Sequence, residues 1–343
     1  MITDELLHRT IGLELFALSL AIAAIVGNAL RTARGDRRLR TGMNAGRPLL
    51  LAAIDGPLDD DQLGRLHRLG RHIQIRLFAE IAPSLEGAQR AALRALSARL
   101  GITAGATRRS QSRWWWRRLY ATRVLTLVDG GEDVMPALIR DPHPLVRAQV
   151  AEWAALHPDP ATLLTLVELL DDQTRIARFS VQDTLLRIGR PTVPVLIERL
   201  GTMGPLGIAS GLLVAARLGD PDLLPLALAF ADHPMADVRA AAADVLGAIG
   251  GEAAVEVLHR SLGDPATEVR EAAAHGLGRL EHWPSASVLL PLLSDPTWPV
   301  RQEAALALSA MGAPGSLILR TALRGSDRFA ADIAAQALGA ERA

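Results

Sequence analysis

A chain of 343 residues, 49% of them hydrophobic and 22% charged, can bury a sizeable core and is too apolar for wholesale disorder. It has no cysteine, which excludes disulfides, thiolate metal sites and cysteine nucleophiles. The net charge of zero hides a division: residues 1–123 carry 20 arginines against 10 carboxylates and residues 124–343 carry 17 against 27. The basic third could face an anionic surface, whereas the acidic remainder makes a poor general nucleic-acid binder. Aromatic residues are only 3% of the chain, so its helices pack on small side chains.

In chain order, the first feature is the stretch IGLELFALSLAIAAIVGNAL at 11–30, with Glu14 as its one charge. Twenty helical residues span roughly 30 Å, the thickness of a bilayer core, and no polar stripe interrupts them. The stretch reads as a transmembrane helix. A buried helix of a soluble domain is the alternative; cleavage as a signal peptide fits less well, because Asp4 and Glu5 stand where a basic cluster belongs. Arg31, Arg34, Arg37, Arg38 and Arg40 follow the span and only Arg9 precedes it. The positive-inside rule then places residues 1–10 as a short outer tail and the bulk of the chain in the cytoplasm, anchored to the inner membrane. Residues 31–47 read as a basic juxtamembrane linker and 48–113 as an irregular helical region.

The most unusual dozen residues follow: RSQSRWWWRRLY at 109–120, with Trp114, Trp115 and Trp116 set among Arg113, Arg117 and Arg118. Consecutive helical positions differ by about 100° in direction, so three adjacent indoles cannot share one buried interface.

Beyond residue 130 the sequence repeats. DPHPLVRAQVAEWA begins at Asp141, ADVRAAAADVLGAIG at Ala236, DPATEVREAAAHGLGRL at Asp264 and DPTWPVRQEAALALSAMG at Asp295. Arg147 to Arg178, Arg239 to Arg270 and Arg270 to Arg301 are each 31 residues, and Arg178 to Arg239 covers two units. A fixed period in this range means a solenoid of stacked supersecondary units. Each unit reads as two helices. The second starts near Asp-Pro, carries Val-Arg in its first turn and repeats small residues three and four positions later and leucine at seven. Ala242, Ala243 and Leu246 after Arg239, and Ala304, Ala305 and Leu308 after Arg301, thus share one face. Gly250 and Gly312, each eleven residues after an arginine, suit helix ends.

Aligning Arg118 with these arginines puts Ala121, Leu125 and Val128 at core offsets, so residues 114–343 read as the repeat domain and the tryptophan run as the second helix of its first unit. Trp114, seven before Ala121, then shares the core face, and at least one other indole faces outward. Packing against the helices of 60–100 is the preferred account of the run, with contact at a membrane interface next. Trp114, Trp115, Trp116, Arg113, Arg117 and Arg118 are the candidate interaction surface.

The pattern resembles the HEAT-repeat family, particularly the short HEAT-like repeats of bilin lyases, over about residues 114–340. The resemblance implies an all-α fold, an α-solenoid of helical hairpins, here preceded by one transmembrane helix. It also implies a structural ladder of aspartates and arginines between turns, carried by Asp141, Arg147, Asp172, Arg178, Arg239, Asp264, Arg270, Asp295 and Arg301. Two units depart from the pattern. GPLGIASGLLVAARLG has Ile208 at the arginine position, with Gly204, Gly207 and Gly211 nearby, which suggests a bend, a close helix contact or a partner groove. FAADIAAQALG lacks the arginine as a terminal capping repeat would.

No Walker loop, dinucleotide fingerprint, HExxH or serine elbow occurs, so no catalytic residue, cofactor or metal site is expected. The His-Glu dipeptides that hold iron in the HEAT-like deoxyhypusine hydroxylase are missing. The outward positions of the second helices, among them Asp183, Arg187, Asp244, Glu271, His275, Arg279, Gln302 and Glu303, make a mixed face and not a phosphate track, which ranks nucleic-acid binding third. The expectation is a non-enzymatic, membrane-anchored cytoplasmic scaffold for a protein partner, with integral membrane proteins among the candidates. The alternative is a bilin-lyase-like enzyme or subunit acting on a protein substrate.

Overall fold

The computed structural model describes residues 36–56 and 58–340. Among these the regular elements are helices, with no strand, and they divide into two compact units, Met1–Gly131 and Glu132–Ala343.

In the first unit, residues 36–55 form helix α1. After it come α2 (Asp60–Arg68), α3 (Arg71–Ile81), α4 (Gly87–Arg99), α5 (Ile102–Ser110) and α6 (Trp115–Leu127). Residues 36–47, expected as linker, are therefore helical. Gly46 marks a close approach: a Cβ there would stand 2.4 Å from Leu77 Cδ1 on α3. Arg47 adds an ion pair to Glu80 on the same partner helix. Helix α2 opens with a capping box: the Asp59 carboxylate accepts from Gln62 N at 2.7 Å and Gln62 Oε1 accepts from Asp59 N at 3.0 Å. Leu50, Leu66, Leu77, Phe78, Leu93 and Leu125 are fully buried and form the core of this unit.

The membrane assignment requires correction. Residues 11–30 lie outside the described residues, and no helix among the described ones is long and apolar enough to cross a membrane. Helix α1 has the length but carries Asp36, Arg37, Arg38, Arg40, Arg47 and Asp55, and each such charge disfavours the bilayer centre by about 3 kcal/mol. The expectation of a single-pass inner-membrane protein with its amino terminus outside is not upheld.

The second unit consists of seven helical hairpins. They pair α7 (Met135–Leu138) with α8 (Pro144–Ala154), α9 (Pro160–Glu168) with α10 (Arg175–Ile188), and α11 (Thr192–Arg199) with α12 (Pro205–Leu218). The series continues with α13 (Leu224–Phe230) and α14 (Ala236–Ile249), and with α15 (Glu252–Ser261) and α16 (Thr267–Arg279). It ends with α17 (Ala286–Leu289) and α18 (Trp298–Ala310), then α19 (Ala313–Leu323) and α20 (Arg328–Ala340). Each second helix packs on the second helix of the next hairpin, from α8 through α20, so these helices form one continuous layer. Small residues set its closeness. A Cβ on Gly247 would lie 2.3 Å from Gly276 Cα, so α14 and α16 touch backbone to backbone. Gly250 ends α14 with φ 78°, a left-handed turn that a side chain would oppose.

The ladder ties neighbouring hairpins by a fixed scheme. Arg147 Nη1 donates to Asp141 O at 2.7 Å and Pro142 O at 3.2 Å, closing the loop within its own hairpin. Its Nε and Nη2 fork onto the carboxylate of Asp172 in the next hairpin, at 2.6 and 2.9 Å. Arg239 grips Asp264 with both bonds at 2.8 Å, and Arg270 grips Asp295 at 2.8 and 3.0 Å. The pairs six residues apart thus meet through the aspartate main-chain carbonyl, while the carboxylate takes the arginine of the preceding hairpin. Each carboxylate also accepts the amide two residues on, at 2.8 Å for Thr174, Ala266 and Thr297, which starts the next helix.

These contacts fix the charge states. Burial alone would raise the Asp172 and Asp295 carboxyls, but Arg147 and Arg270 with the neighbouring threonines hold both below the usual range. For Asp264 the hydrogen bonds from Arg239 outweigh burial.

The unit without the arginine compensates locally. Asp171 Oδ1 accepts from Gly207 N at 3.0 Å, and a Cβ on Gly211 would lie 2.2 Å from Leu200 Cδ1. Of the readings offered for this departure, the structure displays a close helix contact. In the following part of the array, Arg301 closes its own loop on Asp295 O at 2.7 Å and lies over the Phe329 ring at 5.0 Å.

Candidate interaction surfaces

The tryptophan run sits where α6 begins. Trp114 is the cap residue, with extended backbone (φ −90°, ψ 118°), and helical geometry starts at Trp115. The register that assigned Trp114 to the core face does not extend to a non-helical residue. Trp114, Trp115 and Trp116 are 40%, 37% and 47% exposed, so each side chain is partly covered and partly open to solvent. Leu119, Ala121, Thr122, Val124 and Leu125 supply the buried face of α6 instead.

The rings are ordered among themselves. Trp114 stacks on Trp116 with centroids 4.6 Å apart, and Trp115 meets Trp116 edge-on at 6.1 Å. Arg113 lies 4.5 Å over the Trp114 ring, and Arg109 lies 5.5 Å from the centre of the exposed Tyr120 ring one turn on. Arg117 is exposed beside them. Arg118 differs: its Nη1 donates to Ser112 O at 3.0 Å and Arg113 O at 3.1 Å, the same five- and six-residue reach made by Arg147, Arg239, Arg270 and Arg301. It shapes the loop that presents Trp114 and is half-buried. Helix α6 therefore starts like a repeat helix, and within the unit Met1–Gly131 it packs on α5.

A second surface runs along the layer of second helices. Residues five beyond the arginine register, Glu152, Asp183, Leu213, Asp244, His275 and Leu306, recur once per hairpin and none is buried. Arg187 bridges Glu152 at 2.8 Å and Asp183 at 3.2 Å, and His275 pairs with Glu303 at 3.2 Å. Across α10, α12, α14 and α16 this face holds an open groove of about 460 Å³. Phe179 and Leu213, 67% and 46% exposed, form its apolar wall, and Asp237, Asp244 and Glu268 its acidic wall. Burial pushes the Asp244 carboxyl up, against the pull of His275 and Arg279. Glu271, Arg279 and Gln302 share the same layer, with Arg279 beside His275 and Glu303 around a separate depression. Reading the sequence for charge alone passes over Phe179, Leu213 and Leu306. Leu213 and Leu306 share the position five beyond the arginine register and so carried a signal in the repeat period, whereas Phe179, one beyond Arg178, did not.

One polar cluster lies elsewhere. The fully buried Ser285 hydroxyl sits between His259 Nε2 at 2.5 Å and His282 Nδ1 at 2.6 Å, pinning α15 to the turn after α16. Among the described residues no group of three or more histidine, aspartate or glutamate side chains is arranged to hold a metal ion.

Comparison with known proteins is consistent with this geometry. A family model described as HEAT repeats matches residues 131–204, 209–278 and 258–339. No curated protein sequence matches the chain at a significant level. Among solved structures, yeast importin-β (Kap95p) aligns with TM-score 0.51 and 12% identity, over 80% of this chain and 48% of its own. The same protein bound to RanGDP gives TM-score 0.53 at 12% identity, over 81% and 48% of the two chains. The chain thus spans about half the length of importin-β. The CpcE–CpcF phycocyanin lyase of Nostoc sp. PCC7120 shares 19% identity over 69% of this chain and 94% of that one, with TM-score 0.34.

Proposed function

The chain belongs to the HEAT-repeat family, and on that footing we propose that it is a protein-binding scaffold whose docking surface is the cluster of Trp114, Trp115, Trp116 and Tyr120 with Arg109, Arg113 and Arg117. The observation that carries this reading is the partial exposure of three adjoining indoles, two stacked and the third edge-on, in a chain with only six tryptophans. Exposed indoles of this kind are uncommon without a partner, and tryptophan and arginine are the residues most enriched at binding hot spots. The rings hold one another in place before any partner arrives, which lowers the entropy lost on docking. Support of a general kind comes from importin-β, whose solved complex with RanGDP shows that a repeat array of this fold takes a protein partner. Arginines around the rings favour a partner segment that combines carboxylates with apolar side chains.

The test is a pair of measurements on Trp116→Ala. The reading expects the melting temperature to stay near that of the parent and partner binding to fall at least tenfold. A protein that melts several degrees lower while binding its partner unchanged would assign the ring to packing and remove the proposal.

A further inference from the structure

The partner chemistry just described, carboxylates beside apolar side chains, exists on this molecule. We propose that the cluster on α6 of one copy docks into the acid-walled groove of α10, α12, α14 and α16 on a second copy. This rests on the reading of the tryptophan cluster as a docking surface and names its partner.

Charge complementarity carries the inference at two scales. Residues 1–131 hold 20 arginines against 11 carboxylates, a balance of +9, and residues 132–343 hold 17 against 26, a balance of −9. Two copies therefore attract unlike ends, and the attraction weakens with salt. Locally, Asp237, Asp244 and Glu268 stand on α14 and α16 facing the groove. The ladder arginines Arg239 and Arg270 are bonded to Asp264 and Asp295 and also lie in the field of Glu268, while Asp244 lies in that of His275 and Arg279. Arg175 and Arg178 line the α10 end of the groove, against the three carboxylates of α14 and α16, so the groove keeps an acidic excess of one. Phe179 and Leu213 offer the indoles an apolar surface, while Arg113 and Arg117 flank the rings and match the carboxylates.

The contact is heterologous: one copy gives its cluster and the other its groove. Each added copy leaves one cluster and one groove unused, so assembly grows with concentration unless a ring closes. The aromatic area involved is small beside that of a permanent dimer, which places the contact among transient interfaces.

Sedimentation velocity on the purified full chain, across about a hundredfold range of concentration, tests this at low and high salt. The expected result is a weight-average mass that rises above the 36.6 kDa of one chain at low salt and returns towards it at high salt. Trp116→Ala, with its groove intact, and the double variant Asp244→Asn with Glu268→Gln, with its cluster intact, should each remain monomeric alone. Mixed, they should form a one-to-one pair, because only one cluster and one groove remain between them. Far-ultraviolet circular dichroism of each variant checks that it is folded, and Phe179→Ala serves as a second groove variant.

Parent chain that stays monomeric at every concentration, or self-associates equally well with the groove altered, overturns the inference. If parent chain is monomeric while Trp116→Ala loses an unrelated protein ligand, the docking surface stands and only the choice of partner falls. A mass that rises but is indifferent to Trp116 removes the inference, and the docking surface falls with it only if Trp116→Ala also binds an unrelated protein ligand unchanged.

Discussion

Replacing Arg270 with alanine is the sharpest perturbation of the array. Arg270 and Asp295 are 13% and 8% exposed, and the guanidinium makes the two carboxylate bonds at 2.8 and 3.0 Å as well as bonds to Asp264 O and Pro265 O at 2.9 and 3.2 Å. Removing one partner of a largely buried pair destabilises by about 3–5 kcal/mol, mostly because the other charge is left without compensation. Asp295 would keep its bonds from Thr297 N at 2.8 Å and Thr297 Oγ1 at 2.7 Å, so the lower end applies, about 3 kcal/mol. The ladder also holds α16 to the next hairpin, so the loss concentrates at that junction, and the last two hairpins should open before the rest. Urea unfolding followed by circular dichroism measures the total, and hydrogen exchange locates it. Arg187→Ala is the control: its partners Asp183 and Glu152 are about half exposed, and its loss should be under about 1 kcal/mol. Equal effects from the two substitutions, or a loss below about 1 kcal/mol for Arg270→Ala, would refute the idea that the ladder holds the hairpins together.

Three further outcomes follow. Asp172, Asp264 and Asp295 have folded pKa values below the ordinary 3.8, so their stabilisation is present above that value and is lost as pH falls through the lower folded values. Acid titration of the parent should therefore show a loss of stability below about pH 4 that is smaller in Arg270→Ala. Burial, with the nearby His282, depresses the pKa of His259 below 6.5, so the unfolded chain takes up its proton first. Stability should then fall as pH drops from about 6.5 towards the folded value, and His259→Gln should flatten that part of the curve in a thermal-melt series. Gly247→Ala would set a methyl 2.3 Å from Gly276 Cα and should destabilise by about 2 kcal/mol in urea, while Gly56, whose Cβ would meet open space, should tolerate the same change.

The repeat was legible because packing recurs with the sequence: the arginine spacing and the small residues after it are set by one helix face meeting the next. The ladder was legible as a set of residues but not as a set of contacts. Asp172 takes Arg147 from 25 residues earlier, a pairing fixed by how hairpins stack and invisible to local spacing. Residues 31–47 read as a linker, and the close approach of Gly46 to Leu77 on α3 is set by tertiary packing that local sequence does not display. Trp114 misled because a helical register was carried one residue past the start of α6. Leu213 on the groove wall sits at a recurring repeat position and Phe179 does not, but apolar side chains at both look like core until the neighbouring helices leave them exposed.

The way each arginine pairs with the next hairpin also makes the array tolerant of changes in length. Excising residues 264–294 would bring Asp295 to the place, 25 residues beyond Arg239, that Asp264 now holds. The same cut would set Gly247 against Ala307, the partner that Gly278 already accepts one hairpin further on. Joints and close contacts would both be re-formed with residues that already perform those tasks, so whole hairpins are interchangeable parts in lineages that gain or lose them. A cut from the same start that is one residue shorter or longer would bring Ser294 or Pro296 to that place, and neither offers Arg239 a carboxylate.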